Sequence, residues 1–82
     1  MEYAVTTTVR LLDGRISRSL TMVMEEEQVD EVMEFARNAA MGHASYMSVT
    51  TNSGKVFIPK ELLKTAIICV EALPVDPPQE EE

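Results

Sequence analysis

Cysteine is almost missing from this chain. Cys69 stands alone among 82 residues, so an internal disulfide framework is excluded. There is no tryptophan, only two tyrosines and two phenylalanines, and a single histidine, His43. Structural zinc wants about four Cys or His ligands at set spacings, and one of each falls short of that. No apolar run approaches the ~20 residues of a membrane-spanning helix. Met1-Glu2-Tyr3 lacks the basic and apolar regions of a secretory signal. These absences lead us to expect a reduced, cytoplasmic setting with no membrane and no metal.

Catalytic and cofactor motifs are missing as well. Ser53-Gly54-Lys55 looks like the end of a phosphate loop. However, Val49 stands where the first glycine belongs, and Val56 where a hydroxyl would meet magnesium. No G-x-G-x-x-G occurs. Gly42-His43-Ala44-Ser45-Tyr46 ends in tyrosine where a nucleophile elbow needs glycine. A serine triad would rest on His43 alone, which suits a helix C-terminus better. Cys69, in an apolar strand, reads as a packed thiol. We therefore expect no catalytic residues, no cofactor and no enzyme.

What is present is charge, unevenly placed. The net charge is −7, and residues 25–42 carry six acids against Arg37 alone, while residues 74–82 carry four acids and no base. The remaining segments are faintly basic. This balance disfavours general duplex nucleic-acid binding through phosphate neutralisation. Eighty-two residues make one domain. Such a domain buries only ~60% of its unfolded surface, so it gains from self-association.

The patterning predicts an α+β fold: a five-stranded, mainly antiparallel sheet in the order β-β-α-β-β-β, with one long helix on one face. A small closed barrel is the alternative. Residues 3–24 read as a hairpin about a two-residue Asp13-Gly14 turn, both residues at positive φ. That turn sets Leu11 against Ile16, Val9 against Arg18, Val5 against Met22 and Tyr3 against Met24. Arg18 then points among apolar neighbours, toward a helix acid. Residues 25–41 read as a helix, with glutamates at its positive end and Gly42 just past its close. At 100° per residue, Val29, Val32, Met33, Phe35, Ala36, Ala39 and Ala40 form its apolar stripe. Residues 45–58 read as a second hairpin about Ser53-Gly54, with Met47, Val49, Val56 and Ile58 inward. Pro59 opens a short helical turn at its first position. Residues 65–73 form the last strand, with Ile68, Val70 and Ala72 inward and Ile67, Cys69 and Glu71 outward. The domain ends at residue 73, and an acidic, disordered Pro/Glu tail follows over 74–82. Its Pro74-Val75-Asp76-Pro77 fits P-x-x-P but has no basic flank.

The reverse face of the sheet is too apolar for water alone, carrying Tyr46, Phe57, Ile67 and Cys69. We expect these four to meet a second copy in a homodimer or higher oligomer. Glu27, Asp30, Glu31 and Glu34 form an acidic helix surface suited to a basic protein partner. Arg10 and Arg15 share the outer face near the first turn, where guanidinium forks suit an anion. The leading expectation is a small non-catalytic, self-associating binding or regulatory protein. Two others stand beside it. One is an acidic inhibitor that occupies a nucleic-acid-binding surface of another protein. The other is an oligomeric binder of small anions or nucleotides.

Overall fold

An antiparallel sheet, a long helix and a short one make up the fold in the computed structural model, which describes residues 1–75. The elements are β1 (Glu2–Arg10), β2 (Ile16–Arg18), β3 (Met22–Glu25), α1 (Glu26–Ala40), β4 (Tyr46–Thr51), β5 (Gly54–Pro59), α2 (Lys60–Leu63) and β6 (Ile67–Pro74). All pairings are antiparallel. Central β1 takes β2 and then β3 along one edge and β6 along the other, while among the described residues β4 and β5 pair only with each other. The expected α+β plan holds, but its one sheet is divided into four strands plus a hairpin. Among the described residues no barrel closes. The tail beyond Val75 lies outside the described residues. The last strand runs one residue further than expected, to Pro74, and the Val75 N–H extends the pairing to the Glu2 carbonyl (2.9 Å).

The first turn corrects our reading. Only Gly14 has positive φ, at 97°, and Asp13 does not. The loop is three residues, Leu12-Asp13-Gly14, closed by Gly14 N–H to Leu11 O (2.9 Å) and Leu11 N–H to Arg15 O (2.8 Å). Such a loop needs one residue in the left-handed region, which glycine supplies without a Cβ clash. The extra loop residue moves the adjoining register by one: Arg10 opposes Ile16, Val9 opposes Ser17 and Thr8 opposes Arg18. Because side chains alternate, Ile16 and Arg18 turn outward and Ser17 inward. Arg18 is thus exposed on the outer face, and no ion pair holds it among the described residues.

A bulge at Ser19 and Leu20 restores the expected register, and Val5 meets Met22 and Tyr3 meets Met24. Serine makes the bulge. Its Oγ accepts the Thr7 N–H (2.8 Å) and donates to the Leu20 carbonyl (2.9 Å), standing in for a ladder group. The Leu20 N–H, freed from β1, donates to Thr50 O of the hairpin (2.9 Å). β2 and β3 are therefore one strand broken at a serine.

Helix α1 starts with the Gln28 side-chain oxygen accepting the Glu25 N–H (3.0 Å). It ends in a Schellman motif, with Gly42 (φ 82°) donating to Ala39 O (3.2 Å) and His43 N–H to Asn38 O (2.9 Å). Val29, Ala36 and Ala39 are buried against the sheet. Met33, Phe35 and Ala40 are exposed, contrary to the predicted stripe. Alanine contacts bring the helix close to the strands, so only its narrow facing strip is covered.

The second hairpin keeps its expected faces in a different register, although Val56, expected inward, is 37% exposed. Val49 opposes Val56 and Met47 opposes Ile58, about an Asn52-Ser53 loop. The slip is two residues, which leaves each side chain on its own face. Pro59 precedes α2 as its N-cap, with Lys60 the first helical residue. The main core joins Val9, Leu11, Ala39, Met47, Val49, Ile58 and Leu63. It lies where the turn half of β1, the end of α1, the short helix and the hairpin meet.

Candidate functional site

Two surfaces stand out once the core is drawn. The first is the outer face of the four-stranded sheet. The ladder places Ala4, Thr6, Thr8 and Arg10 of β1 on this side, opposite the buried Val5 and Val9. Ile67, Cys69, Glu71 and Leu73 lie beside them on β6, opposite Arg10, Thr8, Thr6 and Ala4 respectively. Val23 and Ile16 complete the face from β3 and β2. Ile67 and Leu73 are each 65% exposed and Val23 57%, and among the described residues no layer covers them. Between them the Thr6 and Thr21 hydroxyls bond at 2.7 Å. Charge on this face is polarised. Arg10 and Arg18 occupy the end near the first turn, and Glu2 and Glu25 oppose each other at the far end. The Met1 ammonium sits 3.9 Å from Glu25 there.

The second surface is a cleft between the sheet and the hairpin. Its cavity holds about 310 Å³. Val5 and Thr7 line it from β1, Met22 and Met24 from β3, and Met47 to Thr50 from β4. Helix α1 contributes Gln28, Glu31, Val32 and Phe35. Leu20, Met22 and Phe35 are 41%, 56% and 50% exposed, so the mouth is apolar and open. The expected hairpin register and helix stripe placed Met22 and Phe35 inward. The break at Ser19, which no hydrophobic period announces, turns the Leu20 N–H from β1 toward Thr50 at the border of this cleft.

The residues singled out from sequence separate into several places. Tyr46 and Phe57 meet on the hairpin in a tilted contact, with centroids 5.9 Å apart and planes inclined by 53°, both exposed. Ile67 and Cys69 are exposed on β6, in the other sheet. Glu27, Asp30, Glu31 and Glu34 are all exposed on α1, and Glu34 meets Arg37 at 3.5 Å. Arg10 and Arg15 do not share a face. Backbone pairing with Leu11 puts Arg15 on the side opposite Arg10. Its Nε is bound to Asp13 Oδ2 at 2.7 Å, which takes it out of any shared anion pocket. Arg18 is instead the outward companion of Arg10. His43 is exposed. Among the described residues no group of three His, Cys, Asp or Glu side chains gathers as a metal site, and no helix is long and apolar enough to cross a membrane. Comparisons with protein-family models, curated proteins and solved structures give no match.

Proposed function

We propose that the chain is a self-associating, protein-binding module. Two copies pack face to face through the open side of the four-stranded sheet. The observation that carries this reading is the uncovered row of Val23, Ile67 and Leu73, interleaved with small and hydroxyl side chains. A solvated sheet face alternates toward charge, whereas this one carries charge only near its ends and at Glu71. The end charges favour a second copy as the cover. A two-fold axis across the strands reverses one β1 against the other. Arg10 of each copy then approaches Glu2 and Glu25 of its mate. Glu71, beside Thr6 near mid-strand, lies close to the axis and opposes the pairing.

The face is modest in size. Nine residues of strand by three strands give ~30 by ~14 Å, or ~400 Å² before side-chain relief. A standard interface buries about 800 Å² per partner. That shortfall supports a dimer in exchange with monomer rather than an obligate one.

Sedimentation velocity on the full chain, across 1 to 200 µM, tests the reading. Wild type shifts from monomer toward dimer over that range. The double variant Val23→Asp/Ile67→Asp stays monomeric, with an unchanged far-ultraviolet spectrum. A wild-type monomer throughout would refute self-association. Orientation is tested by charge reversal. Arg10→Glu and Glu2→Arg each weaken the homodimer, and the two variants mixed together associate.

A further inference from the structure

The cleft is bordered by strand edges that no described residue pairs. Leu20 N–H to Thr50 O is the backbone bond that crosses from the sheet to the hairpin among the described residues. Antiparallel alternation then says which groups face the gap. Within β4 the pairs Thr51–Gly54, Val49–Val56 and Met47–Ile58 alternate with Thr50–Lys55, Ser48–Phe57 and Tyr46–Pro59. Since Thr50 directs its carbonyl at Leu20, Ser48 and Tyr46, two and four residues back, direct their N–H and C=O groups the same way. Ser48 and Thr50 accordingly line the cleft. An open strand edge is a template for another strand.

The walls of the cleft say what that strand carries. Its interior is apolar and rich in methionine, with Met22 and Met24 offering adaptable surface beside the buried Met47. One wall is acidic. Glu31 lines the cavity, and Glu27 and Glu34 lie four and three residues away, on the same side of the helix. Among the described residues no lysine or arginine lines the cavity, and the nearest base on the helix, Arg37, is engaged by Glu34.

We infer that this cleft binds an extended segment of a partner protein. The segment adds as a β-strand to the open edge of β4, with apolar side chains inward and lysine or arginine toward Glu27 and Glu31. Main-chain bonds to Ser48, Tyr46 and the Thr50 N–H supply attachment, and the alternate side chains supply selectivity. The mouth is wide and flanked by main-chain groups, which suits a peptide better than a small apolar molecule. This site does not depend on the dimer, because it opens away from the outer sheet face.

The test is an isotope-labelled amide titration of the full chain with a capped nonapeptide of alternating valine and lysine. The amides of Ser48 and Thr50 move and become protected, while those of Cys69 and Glu71 stay still. The same peptide N-methylated at alternate residues on its bonding edge binds at least ten-fold more weakly. So does wild-type peptide with Glu31→Lys protein, which keeps its helix content. Equal affinity of the N-methylated peptide overturns strand addition. Movement confined to the outer sheet face overturns the site. A fatty acid that fills the cleft while the peptide leaves Ser48 unmoved overturns the ligand class. Protection of Ser48 that rises with protein concentration alone, without peptide, would make a second copy the occupant and overturn the partner.

Discussion

Asp13 shows how one side chain sets a loop. Its carboxyl is held below the ordinary value of about 3.8, chiefly because it accepts the Arg15 backbone N–H (3.0 Å). The Arg15 guanidinium, 2.7 Å away, adds to this, and together they outweigh desolvation. A depressed folded pKa means that the carboxylate stabilises the loop above the ordinary value. That contribution fades as pH falls through the depressed folded value. We expect the Asp13 carboxyl resonance to titrate below the free-carboxylate range, and Asp13→Asn to remove this loss on acidification in thermal melts. A midpoint at the ordinary value would contradict the loop geometry. Asp13-Gly14 was legible as a turn, because few residues other than glycine accept positive φ. Its length was not, since an Asp side chain serves a two-residue and a three-residue loop alike. One residue of difference sent Ile16 and Arg18 outward and left Arg10 without Arg15 as a neighbour.

The elements rest on a small shared core. Leu63, from a helix of one turn, is 2% exposed and packs with Val9, Met47 and Ile58. Leu63→Ala should cost about 2–5 kcal/mol. A domain of this length is stable by only ~4–12 kcal/mol. Urea unfolding of the variant should therefore show a much lower midpoint, and a loss under about 1 kcal/mol would place Leu63 outside the core. Helix α1 and the four longer strands were legible because periods of 3.6 and 2 survive small errors of register. The slip of two in the second hairpin kept Met47, Val49 and Ile58 inward for that reason. The broken second strand was not legible. It turns on one serine hydroxyl replacing a ladder bond, a local exchange of about 1 kcal/mol that leaves no pattern in composition.

Among the described residues, ten apolar side chains are buried and fifteen large ones are exposed, which is more than isolated surface scatter explains. If the open sheet face is covered by a second copy, stability depends on protein concentration. The melting temperature should then rise by several degrees between 2 and 200 µM, as mass action requires for a state that only folded chains form. The Val23→Asp/Ile67→Asp variant should melt at one temperature across that range. A concentration-independent wild-type melt would argue against the dimer. The residues alone settled the fold class, the apolar side of each long strand and the segregation of acid onto one helix. Those follow from side-chain periodicity and charge, which each segment carries wherever it is placed. Only the packed chain decided that the sheet parts at Leu20, that Arg10 and Arg15 separate, and that a methionine-lined cleft opens beside Glu31. Those depend on hydrogen bonds between groups as distant as Leu20 and Thr50, whose geometry neither segment specifies until the other is in place.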